Sequence, residues 1–256
     1  MAALSDSQFT RYSRQVMLPE IGETGQSALL EANVLIVGCG GLGTAASLYL
    51  AGAGIGHLVI ADGDTLDTSN LHRQVAYREA DLNANKAKML SAQLKALNGD
   101  ISVRVVSSML SQDRLTMEVA MADVVLDCSD NMSTRQAVNR ACLSEKTPLI
   151  SGAAIGWQGQ HMVFDFRQPS PCYRCLFHVE HDRPDNNCQS GGVVGPVVGT
   201  IGNFQALAAL KLLSGNDCCP ATFHQFCGKT MTMTKLDIQR DPACPSCSSF
   251  QAKEAS

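Results

Sequence analysis

The sequence predicts a doubly wound α/β fold, in which a mainly parallel, Rossmann-like sheet continues into a C-terminal antiparallel extension. The first observation is that short apolar runs alternate with helical patterns five times, as in parallel sheets covered on both faces. The second is a glycine-rich turn, Gly38–Gly43, between the first of these runs and the helical pattern after it. The third is a change of pattern beyond Gly156, where alternating runs replace the strand–helix repeat.

Each element of the parallel half has its own signal. Short β-rich runs of four or five residues predict the strands of a parallel sheet. Alanine- and leucine-rich or amphipathic stretches between them predict helices. The predicted strands are Asn33–Val37, His57–Ala61, Ser102–Val106, Val124–Asp127 and Pro148–Ser151. The predicted helices are one from the glycine turn to about Ala53, then Asn85–Leu97, Asp113–Met121 and Ser133–Glu145.

The C-terminal extension is predicted from three alternating segments and one helix. Gln160–Phe166 alternates like an antiparallel strand, while Phe223–Phe226 and Met231–Ile238 look like a strand pair. Ile201–Leu213 predicts a helix that ends near Gly215. We expect a single domain, residues 1–256, with a core at about 30–155, an extension at about 156–247 and a mobile tail at 248–256.

Composition limits the class of protein. The chain has 256 residues, of which 45% are hydrophobic and 17% charged, a balance typical of a soluble globular protein with a sizeable core. Its 24 acidic and 20 basic residues give a formal net charge of −4, which does not favour nucleic acid as a partner. The N-terminal stretch lacks the apolar core of a signal peptide, so we expect a cytoplasmic protein.

Two long stretches without charge, Ala32–Ala61 and Gln189–Leu210, raise the alternative of membrane spans. They contain seven and five glycines, and glycine clusters are more typical of strand-to-helix turns in soluble proteins. We therefore expect no membrane partner. Eleven cysteines without a signal peptide indicate a reducing compartment, in which thiols bind metal or carry out chemistry.

The glycine-rich turn matches both G-x-G-x-x-G and the tighter G-x-G-G-x-G pattern. Its glycines leave the backbone free to approach a phosphate, and the following helix N-terminus offers unpaired N–H groups to an anion. Asp62 closes the second strand, where a carboxylate can accept a hydrogen bond from a ribose hydroxyl. We therefore predict a nucleotide site. The alternative is a turn that serves only tight packing, and the turn by itself does not distinguish a triphosphate from a dinucleotide.

A set of charged and polar residues accompanies this site. Several cations beside phosphates suit an enzyme that attacks the α-phosphate of a triphosphate, because negative charge builds up on the phosphate oxygens and on the departing pyrophosphate. Asp130 lies just beyond a strand end, where a carboxylate can hold magnesium against the phosphates. Taken singly, each residue would be an ordinary surface group. The set comprises Arg11–Gln15, Ser69–Gln74, Lys86 and Asp127–Asn131.

Together these motifs resemble the ThiF/MoeB/HesA family of adenylyltransferases, which are related to the ubiquitin-activating enzymes. The similarity runs from about Tyr12 to Cys247. It implies that the turn approaches ATP, that Asp62 binds the ribose and that Asp130 lies at Mg²⁺. It also implies a homodimer, in which Arg14 reaches into the partner's site. The cofactor-binding residues it implies are Gly38, Gly40, Gly41, Gly43, Asp62, Asp64, Ser69, Asn70, Leu71, Arg73, Gln74, Lys86, Asp130 and Asn131, and the catalytic ones are Arg14, Arg73, Lys86, Asp130 and Cys188.

The reaction that the resemblance implies is activation of a carboxylate. A ubiquitin-like sulfur-carrier protein with a Gly-Gly C-terminus presents its terminal carboxylate, which attacks the α-phosphate of ATP and gives an acyl-adenylate and pyrophosphate. Positioning and charge neutralisation can carry this step without a covalent enzyme nucleophile. The resemblance also implies a further partner, a sulfur donor of the cysteine-desulfurase type.

Two C-x-x-C pairs, Cys172–Cys175 and Cys244–Cys247, form a second motif. Each pair can bind one side of a tetrahedral metal ion, and four thiolates close the shell of a structural zinc site. The resemblance also places zinc at Cys172, Cys175, Cys244 and Cys247. We expect structural Zn²⁺ that fastens the C-terminal segment to the domain. The alternatives are two redox dithiols or unrelated buried thiols.

Cys188 lies in a polar stretch, Asp185–Gly192, and an exposed loop cysteine is a candidate nucleophile. The alternative is a surface thiol without a role. In the thiazole-forming branch of the family the matching cysteine joins the carrier through a sulfur-linked acyl intermediate, whereas the molybdopterin branch does not need it for adenylation. Gly192–Gly199 and Lys211–Gly215 look closer to the thiazole branch, and Ser151–Ala154 looks closer to the molybdopterin branch.

Three hypotheses follow. The first is a dimeric, zinc-bearing adenylyltransferase for a sulfur carrier of thiamine thiazole synthesis, with a molybdopterin-synthase adenylyltransferase as its alternative. The second is a nicotinamide-dependent oxidoreductase, which the glycine turn and Asp62 favour but which leaves the cations and the cysteine pairs without a role. The third is a scaffold that has lost its chemistry, and the full set of expected site residues argues against it.

Overall fold

The structure of the chain, a computed structural model, describes residues 3–179, 192–216 and 220–248. The strands of the described part form one mixed sheet. They are β1 (Asn33–Val37), β2 (His57–Ala61), β3 (Ser102–Val106), β4 (Val124–Asp127), β5 (Leu149–Ile155), β6 (Gln158–Phe164), β7 (Thr222–Cys227) and β8 (Thr232–Asp237). Their order is β3-β2-β1-β4-β5-β6-β7-β8. Neighbours from β3 to β5 pair parallel and those from β5 to β8 antiparallel, so the predicted fold class is confirmed.

Helices cover both faces of the sheet. They are α1 (Asp6–Val16), α2 (Gly22–Glu31), α3 (Gly41–Ala53), α4 (Lys86–Leu97), α5 (Gln112–Ala120), α6 (Met132–Glu145), α7 (Tyr173–Leu176) and α8 (Gly195–Leu213). Successive residues of β1 enter different apolar clusters. Val34 and Ile36 pack with Leu50 of α3 on one face, while Leu35 packs with Val138 of α6 on the other. This two-sided burial explains why β1 has no polar alternation.

The strands of the parallel half match the predicted bounds from β1 to β4, whereas the later elements differ by a few residues. β5 extends to Ile155 and turns at Gly156 into β6, which begins two residues before the predicted Gln160. Trp157 is 45% exposed in this turn. The predicted mobile tail, 248–256, lies outside the described residues apart from Ser248.

α8 is the described helix that is long and apolar enough to span a membrane by length and composition. In the fold it packs against α3, β5 and β6. Its approach to α3 is close, because a Cβ added at Gly202 would lie 2.5 Å from the carbonyl oxygen of Leu42. Val197, Ile201 and Ala209 are buried at these contacts. The second charge-free stretch therefore supplies a core helix of the sheet.

α1 and α2 precede the sheet and were not predicted. The Ser5 side chain caps α1, and Gln8 completes the capping box by accepting from the Ser5 amide. α1 buries Tyr12, whose hydroxyl accepts a hydrogen bond from Nδ2 of Asn98 at 2.8 Å. Tyr12 is thus the buried anchor of this polar helix, and Arg11 and Gln15 add polar contacts to Asp100 and to the carbonyl oxygen of Ala53.

Candidate nucleotide and metal sites

The glycine turn connects β1 to the N-terminus of α3. Gly38 has φ +98°, and a Cβ there would lie 2.7 Å from the carbonyl oxygen of Cys128. A Cβ at Gly43 would lie 1.9 Å from the carbonyl oxygen of Gly38, so Gly43 permits close packing of α3 on the turn. The helix N-cap, Gly40, has no side-chain hydrogen bond to the first turn. The first N–H groups of α3 are therefore available to an anion.

The turn opens into a cleft of about 890 Å³ at the carboxyl ends of β1, β2 and β4. The strand order reverses between β1 and β4, where doubly wound sheets bind ligands. The cleft brings together most of the expected nucleotide residues, whereas Gly43, Leu71 and Arg14 do not line it. Those that line it are Gly38, Gly40, Gly41, Asp62, Asp64, Ser69, Asn70, Arg73, Gln74, Lys86, Asp130 and Asn131.

Asp62 joins the end of β2 to the glycine turn. Its carboxylate accepts hydrogen bonds from the amides of Cys39 at 2.7 Å and Asp64 at 2.8 Å. Burial raises the pKa of the Asp62 carboxyl above its ordinary value of 3.8, while these hydrogen bonds oppose the shift. A carboxylate that still has unused lone pairs thus faces the cleft and can accept from a ligand hydroxyl.

Two cationic side chains, Lys86 and Arg73, face the same cleft and differ in their bonding partners. Nζ of Lys86 lies 2.9 Å from Oδ2 of Asp64, and the lysine side chain is 10% exposed whereas that of Asp64 is 64% exposed. Arg73 donates to the carbonyl oxygen of Ser69 at 2.8 Å and lies 2.9 Å from Nε2 of His72. Among the described residues no carboxylate pairs with Arg73. Its charge is therefore available to a bound anion.

Asp130 and Asn131 lie between β4 and α6 and have different tasks. Asn131 is the N-cap of α6 and accepts from the amide of Thr134 at 2.9 Å. Asp130 is exposed at the rim and accepts from Nδ2 of Asn131 at 3.4 Å. The oxygens of such a carboxylate suit a hard cation such as Mg²⁺, so this residue fits the magnesium that the family resemblance implies.

Sequence reasoning missed the buried ion pair of Arg135 and Asp127, which lies beneath this loop. Arg135 on α6 donates to the carbonyl oxygen of Gly152 at 2.8 Å and to that of Ser129, and Asp127 accepts from Oγ of Ser129 at 2.6 Å. Arg135 also lines the cleft. These bonds fix the loop that carries Asp130. The signal in the sequence was an arginine on the second turn of a helix that begins at a site motif. Such an arginine, taken alone, is usually interpreted as a solvated surface group.

The far end of the cleft is apolar. Met109, Leu110 and Leu115 line it, from the β3–α5 connection and α5. The connection packs closely on Gly63, since a Cβ there would lie 2.9 Å from the amide nitrogen of Met109. An apolar wall in the same cleft as Asp62 suits the face of a nucleotide base.

The four cysteines of the two C-x-x-C pairs converge around α7, which contacts α6. Their sulfurs lie within 4.8 Å of one another, with 4.0 Å from Cys172 to Cys175, 3.7 Å from Cys172 to Cys244 and 3.5 Å from Cys175 to Cys247. Tetrahedral zinc with bonds of about 2.3 Å places sulfurs about 3.8 Å apart, so the cluster fits this ion. Burial raises the pKa of the Cys172 thiol, and the charges of Cys175, Cys247 and Cys244 raise it further, so a bound cation would favour its thiolate form.

Three of the other described cysteines lie in the core. Cys39, Cys128 and Cys142 are buried, and burial raises the pKa of each, which makes them poor nucleophiles. The candidate nucleophile Cys188 lies outside the described residues.

A family model described as the ThiF family matches residues 12–246. The chain belongs to the ThiF family. Named relatives match almost the whole chain. The sulfur carrier protein ThiS adenylyltransferase of Escherichia coli (strain K12) is 45% identical over 249 residues, which make up 97% of this chain and 99% of that protein. The molybdopterin-synthase adenylyltransferase of Salmonella typhimurium is 40% identical over 248 residues, or 96% of this chain and 99% of that protein.

The ThiF-family chain is therefore an adenylyltransferase. Among solved structures, Escherichia coli MccB with AMPCPP and MccA has a TM-score of 0.81 to it, with 21% sequence identity over 96% of this chain and 75% of that chain. At that identity the likeness shows the shared fold. ATP is the nucleotide that membership of this adenylyltransferase family implies for the cleft.

Proposed function

We propose that this ThiF-family enzyme adenylates the C-terminal glycine carboxylate of a ubiquitin-like sulfur-carrier protein of the ThiS type, in thiamine thiazole biosynthesis. The observation that carries the proposal is the cleft in which a helix N-terminus, Arg73, Lys86 and Asp130 converge. This set suits attack on a triphosphate. The 45% identity to a ThiS adenylyltransferase supports the choice of carrier.

The carrier carboxylate attacks the α-phosphate, the bond to the bridging oxygen breaks, and pyrophosphate leaves. The N–H groups at the start of α3 bind phosphate oxygens, and Arg73 neutralises the charge that builds up on them. Lys86 is held by Asp64 at the cleft wall and supplies a second positive charge. Asp62 accepts from the ribose and fixes the nucleotide along the cleft. The chain thus acts by positioning and charge, and needs no covalent intermediate for this step.

Asp130 would hold Mg²⁺, which when bound shields the phosphates and withdraws charge from the leaving pyrophosphate. The loop that carries Asp130 is fixed from below by Asp127 and Arg135. The carboxylate therefore needs little reorganisation when the metal–nucleotide complex arrives.

We propose that the enzyme works as a homodimer in the cytoplasm. Arg14 is exposed on α1 and lies outside the cleft lining of its own chain, which fits a residue that serves the partner's cleft. None of the eight cysteines that the structure describes is in a disulfide, which fits a reducing compartment. The zinc cluster is a structural site, because four protein sulfurs leave no open position for substrate.

The alternative carrier belongs to the molybdopterin branch, because a molybdopterin-synthase adenylyltransferase is 40% identical over nearly the same length. The branches differ in their need for Cys188. In the thiazole branch, sulfur attached to this residue would attack the carbonyl carbon of the acyl-adenylate, so that the bond to AMP breaks, AMP leaves and a sulfur-linked acyl intermediate forms. A donor of the cysteine-desulfurase type would supply the sulfur.

The test is exchange of labelled pyrophosphate into ATP, measured with a thiazole-type carrier and with a molybdopterin-type carrier in parallel. Exchange with the thiazole-type carrier alone supports the proposal, and Cys188→Ser should then retain exchange but lose the covalent link to the carrier. Exchange with the molybdopterin-type carrier alone would overturn the choice of branch. Exchange with neither carrier, in metal-loaded protein that binds ATP, would overturn the proposed substrate class.

A further inference from the structure

Helix α6 lies between the nucleotide cleft and the cysteine cluster. Its N-cap, Asn131, is at the cleft rim, and its later turns contact α7. Two amide side chains, Gln136 and Asn139, are three positions apart and thus share one face of the helix. Both are fully buried. Neither lines the cleft, so the chemistry proposed above does not use them.

Asn139 binds the backbone inside the first cysteine pair. Its Oδ1 accepts a hydrogen bond from the amide of Tyr173 at 2.9 Å, and Tyr173 lies directly after Cys172. The same tyrosine ring contacts Phe164 and Phe177. The short helix that places Cys172 and Cys175 on one metal is therefore fixed at its start by a side chain of α6.

Gln136 binds the chain where it leaves this pair. Its Nε2 donates to the carbonyl oxygen of Phe177 at 2.8 Å and to that of Val179 at 3.0 Å. Asn139 therefore holds the entry to the Cys172–Cys175 turn, and Gln136 holds the exit. The sequence offers few other restraints there, since α7 has only the four residues Tyr173–Leu176.

We propose that Asn139 and Gln136 are positioning residues for the metal cluster. They hold the first cysteine pair in its metal-binding arrangement, so that Cys244 and Cys247 meet a preformed half-site. Groups that orient metal ligands in this way typically change metal affinity by about 10- to 100-fold when they are removed. The inference concerns the metal alone and does not depend on which carrier, or whether any carrier, is adenylated.

The experiment measures how fast the full-length protein and its variants release Zn²⁺ to a chelator that changes colour on binding the ion. Asn139→Leu and Gln136→Leu remove one hydrogen-bonding side chain each at similar volume. Asn98→Leu is the matched control, because Asn98 is also fully buried and donates to a backbone carbonyl, that of Ala51 at 2.8 Å, but it contacts α1 and α3. We expect release about 10-fold faster or more in the first two variants and within about twofold of wild type in the control.

Equal release rates in wild type, Asn139→Leu and Gln136→Leu would overturn the proposal. So would an equal acceleration in Asn98→Leu, which would show general loosening of the fold. Wild-type protein that takes up no Zn²⁺ would also overturn it. Where a leucine variant does not fold, Zn²⁺ release is measured instead in Asn139→Ser or Gln136→Met.

Discussion

Nη1 of Arg135 lies 3.6 Å from Oδ2 of Asp127, and these side chains are 5% and 1% exposed. A buried charge that loses its partner is strongly destabilising, so we expect Asp127→Asn to lower the free energy of unfolding by about 3–5 kcal/mol. The double variant Asp127→Asn/Arg135→Gln should cost less than the sum of the single variants, because no unpaired charge remains. Urea unfolding of wild type, the two single variants and the double variant measures these free energies.

The exposed pair of Arg11 and Asp100 is the control for that experiment. Its side chains are 42% and 46% exposed. Arg11→Gln should therefore change the unfolding free energy by less than about 1 kcal/mol. A loss at Asp127 no larger than at Arg11 would contradict the assignment of a buried, energetically important pair.

Arg73→Ala and Asp130→Ala should fold like wild type and lose adenylation. In the proposed mechanism each substitution removes a charge that acts on the phosphates, and loss of one such interaction typically lowers the rate by about 100- to 1,000-fold. Carrier-dependent pyrophosphate exchange measures the rate. Arg78→Ala is the control, because Arg78 is exposed five positions beyond Arg73 and does not line the cleft. Near-wild-type exchange in the Arg73 and Asp130 variants would refute their roles.

The dimer proposal predicts complementation between inactive chains. If Arg14 serves the partner's cleft, a mixture of Arg14→Ala and Asp130→Ala protomers forms mixed dimers with one intact site. Remixing after mild denaturation should then restore up to about a quarter of wild-type exchange, since half of the dimers are mixed and each has one working site. Activity no higher than that of the separate variants would show that Arg14 acts within its own chain, or not at all.

The raised pKa of Asp62 predicts a pH dependence of stability. A carboxyl whose folded-state pKa exceeds its unfolded value stabilises the fold below the ordinary value of 3.8, and this contribution is lost as pH rises through the raised pKa. Relative to wild type, Asp62→Asn should therefore gain stability as pH rises through this acidic window. Urea unfolding from pH 3.5 to pH 7 at about half-unit steps measures the difference. A difference that does not change with pH, or that changes in the opposite direction, would contradict the shift.

The parallel half of the fold could be predicted closely because its central strands, β1 and β4, are apolar runs buried on both faces. β1 ends directly before Gly38 and β2 directly before Asp62, and β1 to β4 have the expected bounds. β8 is exposed along its length, and its pattern therefore fixes its ends less well. The start of α8 was missed because Gly195 and Gly199 resemble a loop, although proline at the first helical turn is a start signal. α1 was missed because it buries one residue, Tyr12.

The site could be predicted where a motif carries its own chemistry. The glycine turn, Asp62 and Asp130 occupy one cleft as expected. Arg135 could not be found from its own sequence position, because burial under the sheet edge is decided by β4 and β5 together. The same holds for Asn139, whose partner lies 34 positions away.

The cysteine cluster joins segments with 68 residues between Cys175 and Cys244, a stretch that contains α8, β7 and β8. A metal held by both pairs turns this third of the chain into a closed loop even when every other contact is lost. By analogy with a disulfide of similar span, closure withdraws about 4 kcal/mol of chain entropy from the unfolded ensemble. The ion would thus restrict the unfolded ensemble as well as stabilise the folded state. A metal-free chain would have a larger set of conformations to search before β7 and β8 pair with the sheet.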